Sequence, residues 1–248
     1  MLSRFRGSMN LIHFTRTPEA VANILREGFG YVAWPTKTAR FVLPELPLLD
    51  REPQQFGMIS FRMEGDEDCS KAHRQRYGSF GVCIDQNWAL AHGAHPVIYV
   101  SEGGSVARAF RERFKSAKQV LDRELTRHPT DLFRLRAYGN AAAAGALGAS
   151  EWATLLQIYQ YMAPASDAEE HEWRIVQPHP LYSIPRTAAE AVAQLSPAQG
   201  WARILNSIRL TPEAIRYIIG PKGSASRLRP LLSADFSGVE IREETLGQ

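Results

Sequence analysis

The spacing of apolar residues changes several times along the chain, and each change predicts an element. Asn10-Leu11-Ile12-His13-Phe14 reads as a short strand. It runs within a few residues into a helix start, with Thr17 as N-cap, Pro18 at the first helical position and Glu19 in the first turn. Val21, Ile24 and Leu25 make one apolar face of that helix, and Gly28 is its stop. Pro35, Pro44, Pro47 and Pro53 then interrupt any period between Tyr31 and Gln55, which predicts a long irregular excursion. Residues 58–61 and 80–84 read as strands. After a short helix at 87–91, the β-branched and aromatic run at 96–100 reads as another central strand.

From 105 to 127 the apolar positions Val106, Phe110, Phe114, Ala117, Leu121 and Leu125 fall at helical spacing. Arg108, Arg111, Lys115 and Lys118 form a second stripe on an adjacent face. A helix at 151–161 with Ser150 as its cap, a strand at 172–176, a Pro-rich loop at 178–185 and a helix at 188–195 follow. The last unit has Thr211-Pro212 opening a helix, a strand at 217–219, the turn Gly220-Pro221-Lys222-Gly223, a helix at 225–233 and a strand at 239–241. Strands and helices interleave without the regular βαβ period of a doubly wound fold. The expectation is an α+β chain, a single domain over 1–248 with its core at about 10–245. A central mixed β-sheet would be flanked by helices. A chain of 248 residues is long enough for one large core.

Composition supports an ordinary folded protein, with 44% hydrophobic and 22% charged residues. The net charge of +3 is unevenly placed, because residues 106–136 hold nine Lys/Arg against four Asp/Glu. That local excess would draw nucleic acid, a dinucleotide or an acidic partner. Of the two cysteines, Cys83 sits in an apolar run and reads as a buried hydrophobe. No stretch is long and apolar enough to cross a bilayer and the first residues lack a secretory pattern, so a cytoplasmic, membrane-free location is expected.

Three signals carry candidate chemistry. His13-Phe14-Thr15 ends the first strand just before a helix N-terminus, where a ring nitrogen can meet a ligand hydroxyl and the helix favours phosphate. A structural core histidine has the same signature. Glu170 and Glu172 precede Trp173 at a spacing that puts both carboxylates on one strand face, where repulsion raises one pKa. Such a pair can bind ribose hydroxyls and stabilise an oxocarbenium-like centre, and a solvated strand edge paired with Arg174 is the bland equivalent. Tyr77-Gly78-Ser79-Phe80-Gly81 lets a flat ligand approach the backbone, with Tyr77 or Phe80 stacking on a ring, and a turn before a core Phe explains the same residues. His92 with His95, and Cys69 with His73, are lone couples without a second ligand pair, so no metal site is expected.

Taken in order, these pieces resemble a known family. Leu11-Ile12-His13-Phe14-Thr15, Ile24-Leu25-Arg26-Glu27-Gly28, Met58-Ile59-Ser60-Phe61, His73 with Tyr77 to Val82, Trp88 with Pro96 to Val100, and Glu170 to Val176 are similar to the AbiGi abortive-infection proteins of phage resistance. The family's opening strand and helix are in turn similar to DarT-like ADP-ribosyltransferases. The resemblance therefore implies an ADP-ribosyltransferase-like fold using NAD as co-substrate. His13, Phe14, Thr15, Tyr77 and Phe80 would lie around NAD, with Glu172, Glu170 and His13 catalytic. Phe14 stands where many transferases have Tyr, and residues 58–61 lack the Ser-Thr-Ser strand of the arginine-modifying class. Members are also described as antitoxins, which leaves a second role. This is a non-catalytic antitoxin or sensor that binds nucleic acid or a cognate toxin or antitoxin protein through Arg108, Arg111, Lys115 and Lys118.

Overall fold

The structure is a computed structural model and describes residues 10–35, 55–64, 74–127, 141–176 and 207–244. In chain order it begins with β1 (Asn10–Thr15), α1 (Pro18–Glu27), β2 (Phe29–Gly30), β3 (Val32–Pro35) and β4 (Gln55–Met63). β5 (Phe80–Asp85), α2 (Gln86–Ala91), β6 (Ala94–Pro96), β7 (Ile98–Val100) and α3 (Ser105–Thr126) follow. The second half holds α4 (Ala141–Ala146), α5 (Ser150–Tyr159), β8 (Met162–Pro164), a 3₁₀ turn (Ala165–Glu170) and β9 (Glu172–Val176). β10 (Ser207–Ile208), β11 (Ile215–Pro221), α6 (Ala225–Leu228) and β12 (Ile241–Glu244) close it.

Eight strands build one sheet in the order β12-β11-β5-β1-β4-β9-β6, with β3 added along β4. β11–β12 is parallel and the other pairings in this sheet are antiparallel, so the sheet is mixed. β10–β2 and β7–β8 form two small separate ribbons.

Alternation along the strands divides the sheet into two faces. Leu11, Ile59, Phe61, Val82, Ile84 and Ile175 point to one, where they pack with Val21 and Leu25 of α1, Ala89 of α2 and Leu228 of α6. Met58 and Val176 point to the other, against Phe114 and Leu121 of α3 and Trp152, Leu156 and Tyr159 of α5. Farther along that second face, Ile12, Phe14, Cys83, Tyr217 and Ile219 form a smaller cluster. The expected α+β class with a central mixed sheet flanked by helices is what the chain adopts.

Local chemistry explains the elements. Thr17 caps α1, its hydroxyl accepting from the Ala20 amide at 3.2 Å, and Gly28 ends the helix at φ 92°. On α3 the buried residues Ala107, Phe114, Ala117, Leu121 and Leu125 trace the expected stripe. Several details differ from the sequence reading. Residues 96–100 are not one central strand, because the chain changes partners at Val97, whose amide donates to the Glu172 carbonyl at 2.9 Å while the next amide, of Ile98, donates to Tyr161 at 2.7 Å. Ser150 is not the cap of α5, which Ala149 begins without a side-chain hydrogen bond. The Thr211-Pro212 start yields only a 3₁₀ turn, Pro212–Ala214, before β11. The helix expected at 225–233 stops at Leu228 and continues as a 3₁₀ turn, Arg229–Leu231, and the last strand begins at Ile241. The Pro-rich loop at 178–185 and the helix at 188–195 lie outside the described residues, as do Cys69 and His73.

Candidate functional site on the sheet

Glu172 starts β9, where its Cα partner on β4 is Arg62. The residue is 9% exposed, and three hydrogen bonds reach its carboxylate. Oε1 accepts from Ser60 Oγ at 2.5 Å and from Arg174 Nε at 2.9 Å, and Oε2 accepts from Arg174 Nη2 at 2.8 Å. Arg174 also donates to the carbonyls of Gln160 and Met162, both at 3.0 Å. The Glu172 amide is closed off as well, donating to the Tyr99 hydroxyl at 2.8 Å. Burial of Tyr99 beside this site pushes its pKa up to about 12. The pair is therefore a buried two-pronged clamp between the sheet and the chain leaving α5, rather than a solvated strand edge.

Glu170 ends the 3₁₀ turn before β9, and His171 between the two acids takes the left-handed conformation at φ 43°. The Glu170 side chain is 16% exposed and pairs with Arg76, while its Oε2 accepts from the Tyr77 hydroxyl at 3.1 Å. Burial raises the Glu170 pKa, opposed by Arg76 and reinforced by the nearby Glu172 charge. Burial, with Glu170 beside it, also raises the pKa of Tyr77. Only Glu172 lies on the strand, and Glu170, on the turn before it, is held by Arg76 and Tyr77.

His13 is not part of this group. Its Nδ1 lies 2.8 Å from the Ser60 carbonyl, which can only accept, so Nδ1 carries the proton. Its ring packs at 5.1 Å from Phe29 and 5.8 Å from Phe61, on the α1 face. Ser60 and Glu172 project from the opposite face, since Phe61 and Ser60 alternate. The convergence of His13 with Glu172 is therefore not met. The proposed NAD-contact residues separate the same way. Phe14 packs with Tyr77 on the Glu172 face, whereas Thr15 pairs across from Phe80 on the His13 face. Phe80 is 6% exposed and held in the core, with the Arg227 guanidinium 5.9 Å from its ring.

The basic stripe lies on α3. Arg108 and Lys115 are exposed and Arg111 half-buried. Lys115 pairs with Glu112 at 2.9 Å, Lys118 with Asp122 at 2.7 Å, and Arg113 reaches Glu151 on α5 at 3.5 Å. Sequence reasoning missed Ser60 and Tyr99 as parts of the acidic centre. The signal available was Ser60, a polar residue at an inward position of β4, because a hydroxyl taken out of water demands a partner.

Among the described residues no helix is long and apolar enough to cross a membrane, and no group of three or more His, Cys, Asp or Glu is placed to hold a metal. Neither the curated proteins nor the solved structures gave a match. The chain does match the AbiGi family over residues 58–219, a span that opens in β4 and closes in β11. That span contains Ser60, Arg62, Glu170, Glu172 and Arg174 and leaves out β1 with His13. With about two thirds of its length matched, the chain belongs to the AbiGi family, described as a proposed abortive phage resistance protein and antitoxin.

Proposed function

We propose that this chain is an abortive-infection antitoxin that acts by binding, and that the exposed face of α3 holds an acidic surface of its cognate toxin. The carrying observation is the contrast between the two charged sites. Three hydrogen bonds from within the fold hold the Glu172 carboxylate, whereas Arg108 and Lys115 stand on the outer face of α3. α3 holds six Lys/Arg against three Asp/Glu, and its ion pairs at Lys115 and Lys118 are local ones that a stronger acidic partner can replace. The test is growth of cells expressing the toxin with wild-type antitoxin or with Arg108→Glu/Lys115→Glu. Rescue lost in the variant, with unchanged circular dichroism, supports the reading, and full rescue by the variant overturns it. Anisotropy with a labelled DNA duplex tests the nucleic-acid form of the same idea, in which affinity falls steeply with salt.

NAD-dependent ADP-ribosyl transfer is the second reading, favoured by Glu170, a largely buried carboxyl with a raised pKa that accepts from the Tyr77 hydroxyl. NAD would lie on the face that holds Phe14 and Tyr77. Nicotinamide would leave, the acids would stabilise the ribosyl cation, and a nucleophile of the target would attack. Its test is NAD consumption by wild type, Glu170→Gln and Glu172→Gln, with mass spectrometry of protein and nucleic-acid targets. No consumption by folded wild type removes it.

A further inference from the structure

The C-terminal end of α1 borders a cavity of about 420 Å³, a size that admits a small organic ligand. Gly28 shapes it. This residue ends the helix at φ 92°, and a Cβ there would lie 2.4 Å from the Ile208 carbonyl oxygen, so residues 208–212 pass directly against the helix end. The register pair of Ile208 with Phe29 fixes that segment in place. Asp235 and Phe236, from the 3₁₀ turn Ala234–Phe236, complete the lining. Leu25, Leu210 and Phe236 are buried and give the cavity an apolar floor, part of the core on the α1 side of the sheet.

Three charged side chains line the same cavity, and they are not equivalent. Arg26 is held on its own helix, donating to Asn23 Oδ1 at 2.6 Å and to Glu27 Oε1 at 2.9 Å. Arg209 and Asp235 are both exposed, and among the described residues neither makes a hydrogen bond or an ion pair, with the other or with any third group. A cation and an anion that line one cavity without pairing are complementary to a ligand that carries both charges. The carbonyl end of the α1 dipole, at the wall formed by Leu25, Arg26 and Gly28, adds to the negative side. A planar guanidinium grips a carboxylate with two parallel hydrogen bonds, and an ammonium group is matched by a carboxylate beside a helix C-terminus.

We infer that this cavity binds a small zwitterion of the amino-acid class, with its carboxylate on Arg209, its ammonium group on Asp235 and the end of α1, and an apolar side chain against Leu210 and Phe236. The cavity lies across the sheet from α3, so it stands or falls without the toxin-binding surface.

Amide-resolved NMR titration of the full chain with L-leucine and with leucyl-leucine tests it, beside N-acetyl-leucine and leucine amide, which each lack one charge. L-Leucine should move the amide signals of Gly28, Arg209, Thr211 and Asp235, and each derivative should bind about tenfold more weakly. Arg209→Gln should weaken leucine and N-acetyl-leucine about tenfold and leave leucine amide unchanged. Asp235→Asn should weaken leucine and leucine amide by a similar factor and leave N-acetyl-leucine unchanged. Both residues are exposed, so both variants should fold as wild type does. Tighter binding of leucyl-leucine than of leucine identifies a peptide as the source, and equal or weaker binding identifies the free amino acid. Signals that stay in place with both leucine and leucyl-leucine, or affinities that ignore either substitution, overturn the site.

Discussion

Removing one member of the Glu172–Arg174 pair leaves the other as an uncompensated charge, with side chains only 10% and 8% exposed. Glu172→Ala should cost about 3–5 kcal/mol in urea unfolding, and a Glu172→Leu/Arg174→Met double substitution should cost clearly less than that single one. Any activity assay on a Glu172 variant therefore needs a parallel fold measurement. His13 sets a pH prediction of definite sign. Burial lowers its pKa below the ordinary 6.5 despite the bond to Ser60, so the unfolded chain takes up the proton first. The stability this neutral ring provides is complete above pH 6.5 and is lost as pH falls from 6.5 toward the lowered value. Glu170, with its pKa raised above 4.5, acts in the opposite sense, adding stability at low pH that is lost as pH rises through the raised value. Comparing urea midpoints of wild type and His13→Gln at about pH 5 and pH 8 isolates the histidine, and the variant's midpoint should drop less on acidification. At this scale the residue types that matter were legible, Glu170, Glu172, Tyr77 and His13 among them. Their grouping was not, because a strand's alternation assigns faces only once its neighbours and register are known.

Gly78 connects the helical residues 74–77 to β5 at φ 116°, and a Cβ there would lie 2.2 Å from the Thr15 carbonyl oxygen. That atom is backbone and cannot swing aside. Gly78→Ala should thus cost about 2 kcal/mol or more, read from thermal unfolding, and should disturb the Tyr77–Glu170 hydrogen bond on the adjoining turn. Elements with a local code were readable: Thr17, Pro18 and Gly28 bracket α1, and the Phe114, Ala117, Leu121 and Leu125 spacing defines α3. The run at 96–100 was misread because its composition is that of a central strand while its pairing is non-local. Val97 bonds to β9 and Ile98 to the chain after α5, and nothing within five residues encodes that switch. The C-terminal elements slid by a few residues for a similar reason. β11 runs on to Pro221, past the Gly220-Pro221 signal that reads as a turn, because Gly220 and Pro221 still pair with Glu243 and Glu244 of β12.

Across the whole molecule, charge and stability are placed in different layers, and this separation can be measured. The protein carries +3 overall, and α3 by itself holds an excess of three positive charges on a helix whose apolar side is sealed against α5, with Phe114 and Trp152 rings 5.2 Å apart. A basic face set outward on a rigid support accelerates capture of an acidic partner and does little for folding, since exposed charges contribute about 1 kcal/mol or less each. Arg108→Glu/Lys115→Glu should therefore slow toxin association about tenfold at low salt, flatten its dependence on ionic strength and leave the melting temperature nearly unchanged. Glu172→Gln should do the reverse, lowering the melting temperature through the clamp behind α5 while the association rate stays at the wild-type value. Stopped-flow association at two salt concentrations, set beside thermal unfolding of the same proteins, reads both quantities. If the α3 substitutions leave the association rate and its salt dependence untouched, the toxin docks elsewhere, and α3 is only the outer wall of the helical layer.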